Sequence, residues 1–232
     1  VYNEEDAEVK RIAEAAVGPT RKHGYVTPKF TVDNGETLLE TPEGPMPISV
    51  FGRHNLNNLA GAKWICQHMG IDEDDFYEAI ASFEGASKRL EKIGETASNI
   101  AFKDFAHSPS KVKATTDAVK DQYPGRKLIA CLELHTYSSL NAGFLKQYKG
   151  TLDAAEEAVV FYSPEALEIK KLAPVSKEQI ASAFDREDLI IYTRPEDFKE
   201  YLFGLKPKNT AILLMSSGNY GGLDFDEVKH IL

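Results

Sequence analysis

Apolar positions follow two different rhythms along the chain. Residues 4–17 (EEDAEVKRIAEAAV) set Val9, Ile12, Ala13 and Ala16 on one helical face, and Gly18-Pro19 ends the pattern. From 24 to 51 the pieces are short and extended: YVTPKFTV, ETLLET and MPISVF. Asn34-Gly35 is a hairpin-turn dipeptide, and Pro28, Pro42, Pro45 and Pro47 suit exposed strand edges. Gly52 closes that β-rich stretch, so a domain boundary is expected at about 51–54. Helices are expected over 55–69 and over 73–83, the second capped by Asp72 and apolar at Phe76, Ile80 and Phe83.

Beyond residue 90 strands and helices alternate. The pattern predicts strands at 90–96, 99–104, 127–134, 157–162, 188–192 and 210–216. Helices are predicted at 109–122, 141–153, 164–171, 177–184, 195–204 and 224–231. KLIACLEL and TAILLMSS are near-continuous apolar runs, as strands covered on both faces must be. The expected class is therefore α/β: a Rossmann-like, mostly parallel sheet with helices on both faces, preceded by a short β-rich segment.

Bulk properties narrow the function classes. A chain of 232 residues with 42% hydrophobic and 27% charged residues is an ordinary globular sequence of one or two domains. No apolar run reaches the ~20 residues of a membrane span, so no membrane partner is expected. The net charge of −9 without a Lys/Arg cluster argues against nucleic acid as a partner. Cys66 and Cys131 make no metal-ligand spacing and read as apolar fillers in a reducing compartment. The opening VYNEEDAEVKR lacks a Met and reads as mid-protein sequence; the chain is expected to be a piece of a longer one.

Five polar clusters carry candidate chemistry. GRHNLNN brings His54, Asn55 and Asn58 to the first turn of a helix, with Asn55 and Asn58 on one face. Carboxamides match the donor and acceptor edge of adenine, although an Asn here also serves as a helix cap. In SKRLE, Arg89 suits a phosphate or a carboxylate; a surface pair with Glu91 is the plainer alternative. In KDFAHSP, Asp104 and His107 follow a strand, where open α/β sheets bind ligands, while Asp104 and Ser108 also fit plain turn and cap duties. CLELHTYSSLN ends a buried strand in Glu133, His135, Thr136, Tyr137, Ser138 and Ser139, with a satisfied core histidine the alternative for His135. MSSGNYGGLDF, holding Asn219, supplies three glycines for close backbone approach.

Taken in order, these clusters resemble the C-terminal part of the Mur ligase family. The family pattern runs glycine, HN-x-x-N, then R-L/F-E, then D-Y/F-A-H-x-P. It is met at Gly52, His54, Asn55, Asn58, Arg89, Leu90, Glu91, Asp104, Phe105, Ala106, His107 and Pro109. Within the family, DFAHSP and MSSGNYGGLDF look like the members that join the tripeptide L-Ala-γ-D-Glu-meso-diaminopimelate to UDP-N-acetylmuramate. Members that add a single L-alanine commonly carry H-R-Y-x-R where this chain has His135-Thr136-Tyr137-Ser138-Ser139, without either arginine.

The resemblance implies that residues 1–51 are the tail of the central ATP-binding domain and 52–232 the C-terminal domain. It implies ATP and Mg²⁺ as cofactors, and a carboxylate activated as an acyl-phosphate before an amine attacks it. His54, Asn55 and Asn58 would hold adenine, Asp104 the ribose, and Arg89 the γ-phosphate or acyl-phosphate. Arg89 and His107 would serve catalysis, and His107, His135, Ser138 and Asn219 would bind the incoming amine substrate. No metal ligand is expected in this chain. UDP-N-acetylmuramate and a murein tripeptide are the implied substrates, with L-alanine, or a non-catalytic nucleotide-binding module, as alternatives. The implied setting is the bacterial cytoplasm. No G-x-x-x-x-G-K-[ST] phosphate loop is present, so this piece alone is expected to be inactive, to bind nucleotide weakly and to self-associate.

Overall fold

In the computed structural model, which describes residues 1–232, the chain divides between Gly85 and Ala86 into two units. The first contains β1 (Tyr2–Asn3), α1 (Ala7–Ala15), β2 (Gly24–Tyr25), β3 (Phe30–Asp33), β4 (Glu36–Thr41), β5 (Gly44–Ile48), α2 (Arg53–His68) and α3 (Glu73–Ala81). Asp6 starts α1 by accepting the N–H groups of Glu8 and Val9. The apolar stripe of α1 stays in solvent, with Val9 and Ile12 exposed. The two-residue strand β1, which the sequence pattern does not reveal, pairs in parallel with β2.

Strands β3, β4 and β5 form an antiparallel meander. Its first turn needs left-handed backbone at both central residues, and Asn34 (φ 48°) and Gly35 (φ 83°) supply it. Pro45 and Pro47 lie on β5, an edge strand where a missing N–H costs no ladder bond. Leu39 and Ile48 from the meander share one core with Leu56 and Leu59 of α2 and Phe76 of α3. The boundary expected at 51–54 lies within the stretch that this shared core spans. The two helices pack with the β segment before them, and the division falls at Gly85/Ala86.

The second unit runs β6 (Glu91–Glu95), β7 (Ile100–Asp104), α4 (Pro109–Gln122), β8 (Lys127–Glu133), α5 (Ala142–Leu145), β9 (Glu157–Phe161), α6 (Pro164–Ile169), α7 (Lys177–Phe184), β10 (Ile190–Tyr192), α8 (Pro195–Gly204) and β11 (Thr210–Met215). Its strands lie in the order β10-β9-β8-β11-β7-β6, all parallel except β6, which joins one edge antiparallel. This is the mostly parallel, Rossmann-like sheet expected. The helix predicted over 141–153 stops at Leu145 and tightens into a 3₁₀ turn over Lys146–Tyr148, because Lys149 turns extended and Gly150 left-handed (φ 73°). The last segment, Phe225–Ile231, is likewise 3₁₀ and packs against β6.

Side-chain alternation along the strands feeds two cores. Ala101, Ile129, Cys131, Val159, Phe161, Ile212 and Leu214 face α8, which contributes Phe198 and Leu202. Tyr220 joins them, its ring stacked on Phe198 with centroids 4.7 Å apart. Burial pushes the Cys131 thiol far above its ordinary range, so this cysteine is an inert filler. The position of β11 matters most for function. The chain passes from β7 through α4 to β8, leaving a gap that β11 fills last. Here the strand order reverses, and the carboxyl ends of β7, β11 and β8 meet at the edge where such sheets bind ligands.

Candidate functional site

The three central strands end in residues that bind one another. Ser216, directly after β11, donates its N–H to the carbonyl of Asp104 at the end of β7, 2.9 Å away. Its hydroxyl donates to the carboxylate of Glu133 at the end of β8. Glu133 is 4% exposed and also accepts the Tyr220 N–H at 2.9 Å. Tyr220 is held left-handed (φ 52°), a conformation fixed by that bond and by its hydroxyl donating to the carbonyls of Cys131 and Met215. A Cβ at Gly218 would lie 2.9 Å from Glu133 Oε2, so a side chain there would press on that carboxylate.

The turn after β7 is organised by Asp104. Its Oδ1 accepts the Ala106 N–H at 2.6 Å, and its Oδ2 accepts the Leu90 N–H at 2.7 Å. The Phe105 N–H donates to the Lys88 carbonyl at 2.9 Å, tying the same two turns together again. Arg89 is exposed between Lys88 and Leu90, with its guanidinium 5.8 Å from the centroid of the Phe105 ring. Beside it, Glu91 accepts the N–H of Lys88 at 2.8 Å and the hydroxyl of Ser87, and pairs with Lys103 at 3.0 Å. The backbone N–H of Lys88, then the Lys103 ammonium and the Ser87 hydroxyl, outweigh burial and hold the Glu91 carboxyl below its ordinary 4.5. The plainer alternative of an Arg89–Glu91 pair is not what forms; Glu91 serves the turn and Lys103.

His107 Nδ1 lies 2.9 Å from the Phe105 carbonyl, which can only accept. Nδ1 therefore carries the proton, and Nε2 is the nitrogen left to meet a ligand. The Tyr148 hydroxyl donates to the His107 carbonyl at 2.5 Å, and the Tyr148 ring stacks on Phe184, so the histidine's backbone is anchored to the core. Burial raises the Tyr148 phenol well above its ordinary range, keeping it a donor.

After β8, His135 is 45% exposed, with Nδ1 3.5 Å from Glu133 Oε1. This is a half-exposed histidine beside a buried carboxylate, and not a buried core histidine. Thr136, Ser138 and Ser139 bond among themselves: the Thr136 hydroxyl lies 3.2 Å from that of Ser138 and 3.0 Å from that of Ser139. Ser138 is exposed, whereas Ser139 is buried. Asn219 is exposed too, and its carbonyl side-chain oxygen accepts the Gly222 N–H at 3.1 Å, shaping the glycine loop.

In the first unit, Asn55 and Asn58 stand one turn apart on α2, but their amides differ. Asn55 Nδ2 donates to the Phe51 carbonyl at 2.9 Å, while Asn58 is exposed. His54 beside them is half-buried. Gly52, the residue before α2, has φ 86°, which explains a glycine at this spot.

The structure thus gathers Asp104, His107, His135 and the Asn219 loop along one sheet edge, and ties Leu90, the residue after Arg89, to the Asp104 carboxylate. Glu133, Ser216 and Tyr220, to which sequence reasoning assigned no role, bind the strand ends and the glycine loop together. A carboxylate at the end of an all-apolar strand was the available signal for Glu133; no signal in the sequence announced the Ser216 bridge. No helix is long and apolar enough to cross a membrane.

No family model matches the chain. A curated UDP-N-acetylmuramate–L-alanine ligase from Gloeothece citriformis is 27% identical over 214 residues, covering 88% of this chain and 43% of that protein. The chain thus spans less than half the length of this relative. Among solved structures, a UDP-N-acetylmuramate–alanine ligase from Thermotoga maritima has a TM-score of 0.61 at 17% identity, over 83% of this chain and 42% of its own. A murein peptide ligase from Psychrobacter arcticus has a TM-score of 0.53 at 21% identity, over 80% and 39%. These structures show a shared fold.

Proposed function

We propose that this chain, whose relatives and fold support membership of the Mur ligase family, is the C-terminal portion of an ATP-dependent ligase. Its substrates would be UDP-N-acetylmuramate and an amine-bearing acceptor. The observation that carries this reading is the sheet edge at the strand-order reversal, where Ser216 joins the ends of β7, β11 and β8 below the Arg89, His107 and His135 turns.

The chemistry asked of these residues is positioning and charge neutralisation. The sugar carboxylate attacks the γ-phosphorus of ATP, releasing ADP and leaving an acyl-phosphate. Exposed Arg89 offers a guanidinium to the phosphoryl oxygens. The acceptor nitrogen then attacks the acyl carbon, phosphate departs, and the nitrogen gives up a proton. His107 Nε2 and His135 are the groups for holding that amine substrate, with Ser138 and the Asn219 loop alongside. Asn55 and Asn58 are assigned to adenine, with His54 beside them, and the exposed Asn58 amide is the one directed outward. ATP and Mg²⁺ are the proposed cofactors of the complete ligase.

For the acceptor, the murein tripeptide is the reading preferred, because the 135–139 loop has hydroxyls where an arginine pair would serve a single amino acid. L-alanine is the second reading, favoured by the named activity of the curated relative. A ligase assay on the complete gene product with UDP-N-acetylmuramate, ATP and Mg²⁺ decides between them. Phosphate release with tripeptide alone supports the first reading, and release with L-alanine alone supports the second. Release with neither overturns both acceptor readings.

A further inference from the structure

We propose that the Lys170 ammonium, held over the ring of Tyr137, is a carboxylate-binding group of the acceptor site, and that the carboxylate it takes lies remote from the attacking amine. The acceptor is then a peptide and not a single amino acid. The inference rests on the ligase reading above and deepens it by naming what the acceptor must carry.

Three observations carry it. First, Lys170 is half-buried, with Nζ 5.4 Å from the centroid of the Tyr137 ring, yet it forms none of the chain's ion pairs. Lys103, Lys120 and Lys127, by contrast, each sit against a glutamate. A ring face attracts a cation without neutralising it, so this ammonium can still take an anion. Second, both partners stand on fixed backbone. Tyr137 belongs to the turn that Thr136 and Ser139 close on themselves, and it is 65% exposed. Lys170 ends α6, donating its N–H to the Ala166 carbonyl at 3.1 Å, and the Leu172 N–H then reaches the Leu167 carbonyl at 2.9 Å. Farther on, the Tyr162 hydroxyl donates to the Val175 carbonyl at 2.8 Å. Third, the sheet sets the offset. Lys170 comes after β9, and His135 and Tyr137 come after β8, while β11 lies on the far side of β8. Neighbouring strands are about 4.8 Å apart, so β9 stands roughly 10 Å from β11, where the strand order reverses. A single amino acid keeps its carboxylate on the carbon that bears its amine. A peptide extends a carboxylate outward along the sheet edge to Lys170.

The test has two arms. The complete gene product is assayed with ATP, Mg²⁺, UDP-N-acetylmuramate and the tripeptide L-Ala-γ-D-Glu-meso-diaminopimelate. Lys170→Met is expected to raise the KM for the tripeptide by about ten- to a hundredfold, the scale of one lost hydrogen bond to a charged group. The KM for ATP and kcat are expected to move far less. Lys170→Arg is expected to restore most of the loss, because a guanidinium also takes a carboxylate. Tripeptide turnover with an unchanged KM in Lys170→Met, or with an equal rise in the KM for ATP, overturns the inference and leaves the ligase reading standing.

In the second arm, the 232-residue chain is titrated with the tripeptide and with the same peptide whose free carboxylates are converted to carboxamides. The side-chain signals of Lys170 and the ring signals of Tyr137 are followed by NMR. The free peptide is expected to shift both, and Lys170→Met is expected to abolish the Tyr137 shift. The carboxamide peptide is expected to shift neither. Equal shifts with the two peptides, or none at Lys170, overturn the inference. If the complete gene product turns over neither tripeptide nor L-alanine, both acceptor readings fall, while this arm still decides whether Lys170 takes a peptide carboxylate. Turnover of L-alanine alone overturns the peptide acceptor and the inference together.

Discussion

The hydroxyl of Ser216 donates to the buried carboxylate of Glu133, so the last strand of the sheet is fastened to a strand formed more than eighty residues earlier. The Ser216 N–H simultaneously reaches the Asp104 carbonyl, and three parallel strands are closed at one end by a single small residue.

This closure has a stability signature. Glu133→Ala leaves the Ser216 hydroxyl and the Tyr220 N–H without their buried acceptor, and is expected to cost about 2–4 kcal/mol. Ser216→Ala removes one donor and is expected to cost about 1–2 kcal/mol. Urea unfolding monitored by circular dichroism measures both. A cost under about 0.5 kcal/mol for Glu133→Ala would show that the loop is held by other contacts.

Arg89 should behave in the opposite way. It is exposed, so Arg89→Ala is expected to change stability by no more than about 0.5 kcal/mol. In the proposed ligase the same change is expected to lower kcat by about a hundredfold or more, the scale of losing one preorganised charge partner for a developing oxyanion. Lysine in its place should recover little, because it cannot form the two-pronged contact. Steady-state kinetics beside a melting curve separates the two effects.

The asparagine pair on α2 is expected to split. Asn55 holds the Phe51 carbonyl, so Asn55→Ala should lower stability by about 1 kcal/mol. Asn58→Ala should leave stability unchanged and raise the KM for ATP by about tenfold, the worth of one good hydrogen bond. Equal effects of the two substitutions on KM and on melting would contradict this division of labour.

The Arg89 turn carries a pH dependence through Glu91. Its carboxyl titrates below the ordinary 4.5 when folded, chiefly because the Lys88 N–H binds the charged form. A depressed carboxylate stabilises the fold above its unfolded value and loses that contribution as pH falls through the folded one. Exchange of the Lys88 amide is therefore expected to be slow above pH 4.5 and to quicken, relative to unstructured amides, as pH drops below it. Glu91→Gln should flatten that dependence. An identical pH profile in the variant would remove Glu91 as the cause.

Legibility in the sequence followed the range of the interaction. The α4 segment was readable at both ends, because Pro109 marks its first turn and apolar spacing its length. The Asn34-Gly35 hairpin was readable because only a few residue types accept two left-handed positions in succession. The helix expected over 141–153 ends sooner: apolar spacing continues past Leu145, but the backbone turns out at Lys149 and Gly150. The boundary expected at 51–54 was placed by a change of rhythm, whereas the common core of Leu39, Ile48, Leu56 and Phe76 draws α2 and α3 into the first unit.

The sequence by itself determined the alternation of strands and helices, the polar residues at the ends of buried strands and the likeness to Mur ligases. Those are local properties, carried by periodicity, turn chemistry and short motifs. Only the tertiary structure decided that β11 enters between β7 and β8, and hence that Ser216 can touch both Asp104 and Glu133. The same packing decided what Asp104 faces. A buried carboxylate binds whatever donors the fold brings within about 3 Å, and here those donors are backbone N–H groups of Leu90 and Ala106. Strand order and the partners of a buried charge depend on residues distant in the chain, and the linear pattern does not contain them.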